Sequence, residues 1–206
     1  MALKTFVKIS NVTNLSDARY CAGMGVDLLG FSMDVGSADY VEPGKLDEIR
    51  GWVAGVQIVG ETTTTDPELI EQLLETYQPD VLQVDEAALL PYLTTFDKPI
   101  ILRVDLVQLT LDQLNTLFQT SVTGADYVLL ESNGSPHLDA DLKSLLQRLS
   151  ARYPILLGTG VSASNIQEIL MDLPVRGIAL SGGDEERPGN KEFGELMDIL
   201  EALEVE

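Results

Sequence analysis

Along the chain, short runs of apolar and β-branched residues alternate with longer amphipathic stretches. The runs fall at Phe6 to Ser10, Leu28 to Met33, Val56 to Val59, Val81 to Val84, Ile100 to Val104, Tyr127 to Leu130, Ile155 to Leu157 and Gly177 to Leu180. Their apolar character is continuous, which is the signature of parallel strands buried on both faces. Between them, DPELIEQLLETY carries a leucine stripe, with Asp66 as the expected N-cap and Pro67 at the first helical position. TLDQLNTLFQ, DADLKSLLQRLSAR, SASNIQEILMDL and NKEFGELMDILEAL repeat that arrangement. Shorter helices are expected near Leu15 to Ala22, Lys45 to Val53 and Ala87 to Leu93.

Eight strand-then-helix units in 206 residues average about 26 residues each, close to the least a βαβ repeat requires. The pattern predicts an α/β fold, a (β/α)8 TIM barrel forming one domain over residues 1–206. An open doubly wound sheet shares the alternation, but eight evenly spaced units with no second domain favour closure. The four threonines Thr62 to Thr65 read as a solvated loop after the third strand.

Charge narrows the partners. Thirteen basic residues against 33 acidic ones give a net charge of −20, which repels phosphate backbones and anionic membrane surfaces. No nucleic acid and no membrane partner is therefore expected, whereas a small phosphorylated molecule stays open, because backbone N–H groups and a few local cations suffice to hold it. Cys21 is the single cysteine and reads as a buried, inert thiol in the first helix. No Cys/His set has zinc-ligand spacing, and no metal or cofactor is expected. With no signal-peptide pattern and no long apolar span, the expected location is the cytoplasm.

In a (β/α)8 barrel the loops at the C-terminal ends of the strands form the active face, and those after the seventh and eighth strands commonly bind phosphate. Two Gly-rich turns fall there. LLGTGVSASN supplies Gly158 and Gly160; LSGGDEERPGNK supplies Ser181, Gly182 and Gly183. Glycine allows close backbone approach, and the helix that follows offers N–H donors. Gly158, Gly160 and Ala163 also fit a dinucleotide G-x-G-x-x-A pattern, but at the seventh strand it lacks the βαβ context that motif needs. Arg187 and Lys191 precede the last helical pattern, where the helix dipole disfavours cations unless an anion is bound.

Further ionisable candidates close the strands: Lys8 and Ser10, Asp34, Asp85 and Glu86, Arg103 and Asp105, and Glu131. His137, the single histidine, reads as a surface-loop residue.

These segments together resemble the phosphoribosylanthranilate isomerase family over nearly the whole chain. VKISNVTNLSDARYCAGMGVDLLGFSM is similar to that family's K-I-C-G-(I/L)-T opening and second strand. SADYVEP, LQVDE, VLLES, LLGTGVSASNI and LSGGDEERPGNKE are similar to its later motifs. The resemblance implies a cofactor-free Amadori rearrangement of an aminoaldose phosphate to an aminoketose in tryptophan biosynthesis. It also implies a cysteine base, an aspartic acid donor on the sixth strand and an arginine that holds the anthranilate carboxylate. At those positions this chain has Ser10, Glu131 and Asp39. The phosphate end, with Gly158, Gly160, Ser181, Gly182, Gly183 and Lys191, keeps the pattern. The expectation is a divergent isomerase-like protein, monomer or homodimer, with weak or lost native activity. The alternative is a non-catalytic binder of a phosphorylated metabolite or a protein partner.

Overall fold

The computed structural model describes residues 2–132, 138–181, 185–187, 190–191 and 194–205. Among them, eight parallel strands close a barrel in chain order: β1 (Phe6–Ser10), β2 (Leu28–Ser32), β3 (Gln57–Glu61), β4 (Val81–Val84), β5 (Ile100–Asp105), β6 (Tyr127–Glu131), β7 (Ile155–Leu157) and β8 (Gly177–Ser181). The barrel shuts where β1 pairs with β8, from Phe6 opposite Gly177 to Ser10 opposite Ser181. The first seven helices are α1 (Leu15–Gly23), α2 (Pro43–Arg50), α3 (Pro67–Tyr77), α4 (Leu90–Leu93), α5 (Leu111–Thr120), α6 (Ala140–Ser150) and α7 (Ile166–Asp172). α8 (Gly194–Ala202) follows a two-stranded antiparallel ribbon of β9 (Glu185–Arg187) and β10 (Asn190–Lys191).

Local chemistry sets several helix starts. Asp66 accepts the Glu68 N–H ahead of Pro67, Asp139 accepts the Leu142 N–H, and Thr110 and Gln113 form a reciprocal capping box. Two expectations need correction. The last helix begins at Gly194, and Arg187 and Lys191 belong to the β9–β10 ribbon instead of the helix. The threonine run is not simply solvated: Thr62 is buried and its hydroxyl, with the N–H and hydroxyl of Thr63, holds Asp34. The stretch Ala87 to Leu93 divides into a 3₁₀ turn, Ala87–Leu89, and the short α4, because Pro91 enters at the second position of the α-helix. No helix among the described residues is long and apolar enough to cross a membrane.

Strand side chains alternate between two cores. The outward set, including Ile9, Phe31, Leu82, Leu102, Leu130 and Ile178, packs beneath the helices with Leu46, Ile70, Leu114, Leu146 and Leu200. The inward set fills the barrel's N-terminal half: Leu28, Val59, Val81, Ile101, Leu129, Leu156 and Ala179, with Phe6 stacked on Tyr127 at 5.4 Å between ring centroids. Gly177 is required beside this layer, since a Cβ there would stand 2.1 Å from the Phe6 carbonyl oxygen.

At the N-terminal end the barrel repeats one device every second strand. Asp27, Asp80 and Asp126, each just before an even-numbered strand, accept the backbone N–H of Val7, Ile58 and Ile100 at 2.8 Å. The fourth equivalent position is Arg176, whose guanidinium lies 4.8 Å from the Phe6 ring centroid. Each aspartate therefore satisfies a strand-start donor that would otherwise lack a partner. Replacing any one by alanine is expected to cost about 1–3 kcal/mol in urea denaturation, with asparagine milder because its carbonyl can still accept. An alanine variant as stable as the parent would show that solvent serves these donors equally well.

Candidate active site

Further along most of the inward-facing rows, the apolar layer gives way to polar groups. Phe6 is succeeded by Lys8 and Ser10, Leu28 by Gly30 and Ser32, Val59 by Glu61, Val81 by Gln83, Ile101 by Arg103, Leu129 by Glu131 and Ala179 by Ser181. The strand period of two thus delivers these side chains to one place, the C-terminal mouth of the barrel. A cavity of about 510 Å³ opens there, lined by Ser10, Glu61, Gln83, Asp85, Arg103, Glu131, Gly158 and Ser181 among others.

Lys8 is wholly buried at its floor. Its Nζ donates to Glu61 Oε1 and to Ser10 Oγ, both at 2.5 Å. Glu61 is held from a second side by the Asn11 N–H, which donates to Oε2 at 3.4 Å. The pair meets over Gly30, where a Cβ would stand 2.0 Å from Glu61 Oε1 and 3.1 Å from Lys8 Nζ. Glycine at position 30 is therefore a condition of the ion pair.

Above the floor, Arg103 forms a two-point pair with Asp85, Nε to Oδ1 at 2.8 Å and Nη2 to Oδ2 at 2.5 Å. Those bonds to Asp85 hold the guanidinium more firmly protonated than usual. Arg103 Nη1 also lies 3.6 Å from Glu131 Oε2. Burial pushes the Glu131 carboxyl above its ordinary range; Lys8 pulls it back, Glu61 adds to the rise, and Arg103 opposes it. Gly158 makes room for this side chain, since a Cβ there would be 2.7 Å from Glu131 Cγ. Gln83 is almost fully buried, and its Oε1 has no hydrogen-bond partner among the described residues.

The sequence candidates divide accordingly. Ser10, Glu131, Gly158 and Ser181 line the cavity, and Ser181 Oγ accepts from Asn11 Nδ2 at 3.3 Å. Gly160 lies in the turn after β7 with φ of 69°, its carbonyl accepting from Asn165 Nδ2 at 2.8 Å and its open side packed on Leu138. Asp39 lies on the loop between β2 and α2, its N–H donating to Ser37 Oγ at 3.2 Å, and is not among the cavity-lining residues. Gly182, Gly183 and His137 lie outside the described residues, and Lys191 is placed only as part of β10. Asp34 and Asp85 both line the cavity, but the threonine donors hold the first and Arg103 holds the second. Glu61 and Gln83 are additional members; the signal that marks them is their position two residues beyond a buried valine on an inward row.

Known proteins give this geometry a context. The sequence profile described as "PRAI: N-(5'phosphoribosyl)anthranilate (PRA) isomerase" matches residues 7–202. An N-(5'-phosphoribosyl)anthranilate isomerase of a Synechococcus species is 29% identical, over 97% of this chain and 91% of that protein. The crystal structure of the Thermotoga maritima phosphoribosyl anthranilate isomerase superposes with a TM-score of 0.79 at 20% identity, covering 97% of this chain and 98% of that one. A phosphoribosyl anthranilate isomerase structure in complex with reduced 1-(o-carboxyphenylamino)-1-deoxyribulose 5-phosphate superposes with a TM-score of 0.77 at 21% identity, again covering 97% and 98%.

The buried acid yields a prediction with a defined sign. Glu131 binds its proton more tightly in the folded protein than in the unfolded chain, so stability falls as pH rises from the ordinary glutamate range, about pH 4.3, through the folded-state value. Glu131→Gln removes that penalty. In urea denaturation, its stability relative to the parent should therefore improve as the pH is raised from the ordinary glutamate range. A difference that does not change with pH would contradict the assignment.

Proposed function

The chain belongs to the N-(5'-phosphoribosyl)anthranilate isomerase family of tryptophan biosynthesis, and on that premise we propose that it binds a phosphorylated small molecule at the barrel mouth while performing the family's isomerisation weakly or not at all. The observation that carries this reading is the hydrogen bond from Lys8 Nζ to Ser10 Oγ. A serine hydroxyl is a poor general base near neutral pH unless a second base takes its proton. Lys8 is the ammonium partner of Glu61 and offers Ser10 a donor. Among the described residues no carboxylate or imidazole hydrogen-bonds to Ser10 Oγ, and Asp34 and Asp85 are engaged elsewhere.

Two further substitutions point the same way. Glu131 is well suited to hold a proton, but its extra methylene moves the carboxyl relative to aspartate, and a misplacement of about 1 Å can cost about 10²-fold. Asp39 replaces the arginine implied for the anthranilate carboxylate, and the cavity lining adds Asp34, Glu61, Asp85 and Glu131 against Arg103. An aromatic carboxylate entering this field meets like charge where a two-point guanidinium pair is needed. The phosphate end supports the binding half of the proposal through the family-like glycine turns after β7 and β8.

Turnover of phosphoribosylanthranilate by the purified protein is expected to lie at least about 10²-fold below that of the Thermotoga maritima enzyme, the lower end of what a positioned general base contributes. Calorimetry with a simple sugar phosphate should still register binding. Efficient complementation of an isomerase-deficient tryptophan auxotroph at low expression would overturn the catalytic half. Absence of any phosphate-ester binding would overturn the other.

A further inference from the structure

Gln83 differs from the other polar residues of the mouth. It points inward from β4 and lines the cavity, yet it is only 5% exposed and its Oε1 has no hydrogen-bond partner among the described residues. The neighbours that could have engaged it are committed elsewhere. Glu61, opposite Gln83 across the β3–β4 pair, receives Lys8 on Oε1 and the Asn11 N–H on Oε2. Arg103, on the next strand, is held at two points by Asp85.

A buried carboxamide without a partner costs stability, and packing does not require it: methionine would fill much the same volume with no polar atom to satisfy. What remains is the side open to the cavity. The last torsion of glutamine is broad and roughly two-fold, so an amide whose oxygen no bond holds can turn either end to the mouth. A hydroxyl group both donates and accepts, and completes the amide in either orientation. The place of β4 adds a distance requirement. In the closed sheet it lies four strands from β8 in either direction, so Gln83 stands across the mouth from Gly158 and Ser181, which line the same cavity at the ends of β7 and β8.

We infer that Gln83 is the hydroxyl-reading residue of the mouth. In a molecule whose phosphate lies against the turns after β7 and β8, its amide hydrogen-bonds a hydroxyl at the far end. The inference rests on phosphate binding as proposed above, and adds which end of the ligand is read and by which side chain.

The test is calorimetry on the full chain and on Gln83→Met with three probes: ribitol 5-phosphate, n-pentyl phosphate, which has the same carbon chain without hydroxyls, and inorganic phosphate. Ribitol 5-phosphate should bind Gln83→Met about tenfold more weakly than the parent, the loss of about one hydrogen bond to a buried group. Pentyl phosphate and inorganic phosphate should bind both proteins alike. In NMR spectra the Gln83 side-chain amide signals, identified by their absence from Gln83→Met, should move with ribitol 5-phosphate and stay in place with inorganic phosphate. Without ligand, Gln83→Met should unfold at a urea midpoint no lower than the parent's; a lower midpoint would show that the amide serves the fold and overturn the inference. An unchanged affinity for ribitol 5-phosphate, which would mean that water serves the amide equally well, or an equal loss for all three probes would overturn it too. If the parent binds none of the probes, phosphate binding fails and this inference fails with it. If all three bind and only the contrast at Gln83 is missing, phosphate binding stands and this inference alone is refuted.

Discussion

The mouth of this barrel depends on one buried ion pair. Lys8 has no exposure at all, and an ammonium in that position is tolerable only because Glu61 meets it at 2.5 Å and Ser10 accepts a second hydrogen bond. Much else follows from keeping that pair intact. Position 30 must be glycine because the two side chains meet above it. Glu61 is pinned by the Asn11 N–H, and Asn11 itself takes a left-handed conformation at φ of 57° as the chain leaves β1. Ser10 is drawn into the same cluster, its hydroxyl accepting from the lysine.

The inward rows explain how a strongly acidic chain builds a small, mixed-charge cavity on an apolar plug. Most strands present an apolar residue toward the bottom and a polar one two positions later, while β2 and β7 place Gly30 and Gly158 there. With Asp34 and Asp85 from the loops beyond β2 and β4, the described mouth has the cations Lys8 and Arg103 and four carboxylates, and pairing uses most of them: Lys8 with Glu61, Arg103 with Asp85, and Asp34 with the threonine donors. Glu131 is the carboxylate left between opposing influences, with burial raising its proton affinity and the cations lowering it. Among the described residues lining this space, carboxylates therefore outnumber cations.

Strand positions, barrel closure and the Asp66, Thr110 and Asp139 helix starts were legible because each depends on local pattern: continuous apolar runs, helical stripes and side-chain caps. Ser10, Glu131 and Ser181 were legible as strand ends. Glu61 and Gln83 were not, because a polar residue inside or closing an apolar run carries no sign of which core it faces until the parity of the whole strand set is known. The same limit hid the threonine cradle of Asp34, a contact between residues 28 positions apart. It also hid the β9–β10 ribbon, where residues 190–191 of the helical pattern pair across strands instead. For Glu61 and Asp34 a long-range partner, absent from any local window, decided the outcome, whereas the ribbon joins residues only three to six positions apart.

The direct measurement of the central claim is a double-mutant cycle on the floor pair, Lys8→Met and Glu61→Gln singly and together, by urea denaturation. If the pair organises the mouth, each single change strands a buried charge and costs about 3–5 kcal/mol, while the double variant costs little more than one single, which leaves a coupling of at least about 2 kcal/mol. Additive losses, or single variants as stable as the parent, would contradict it.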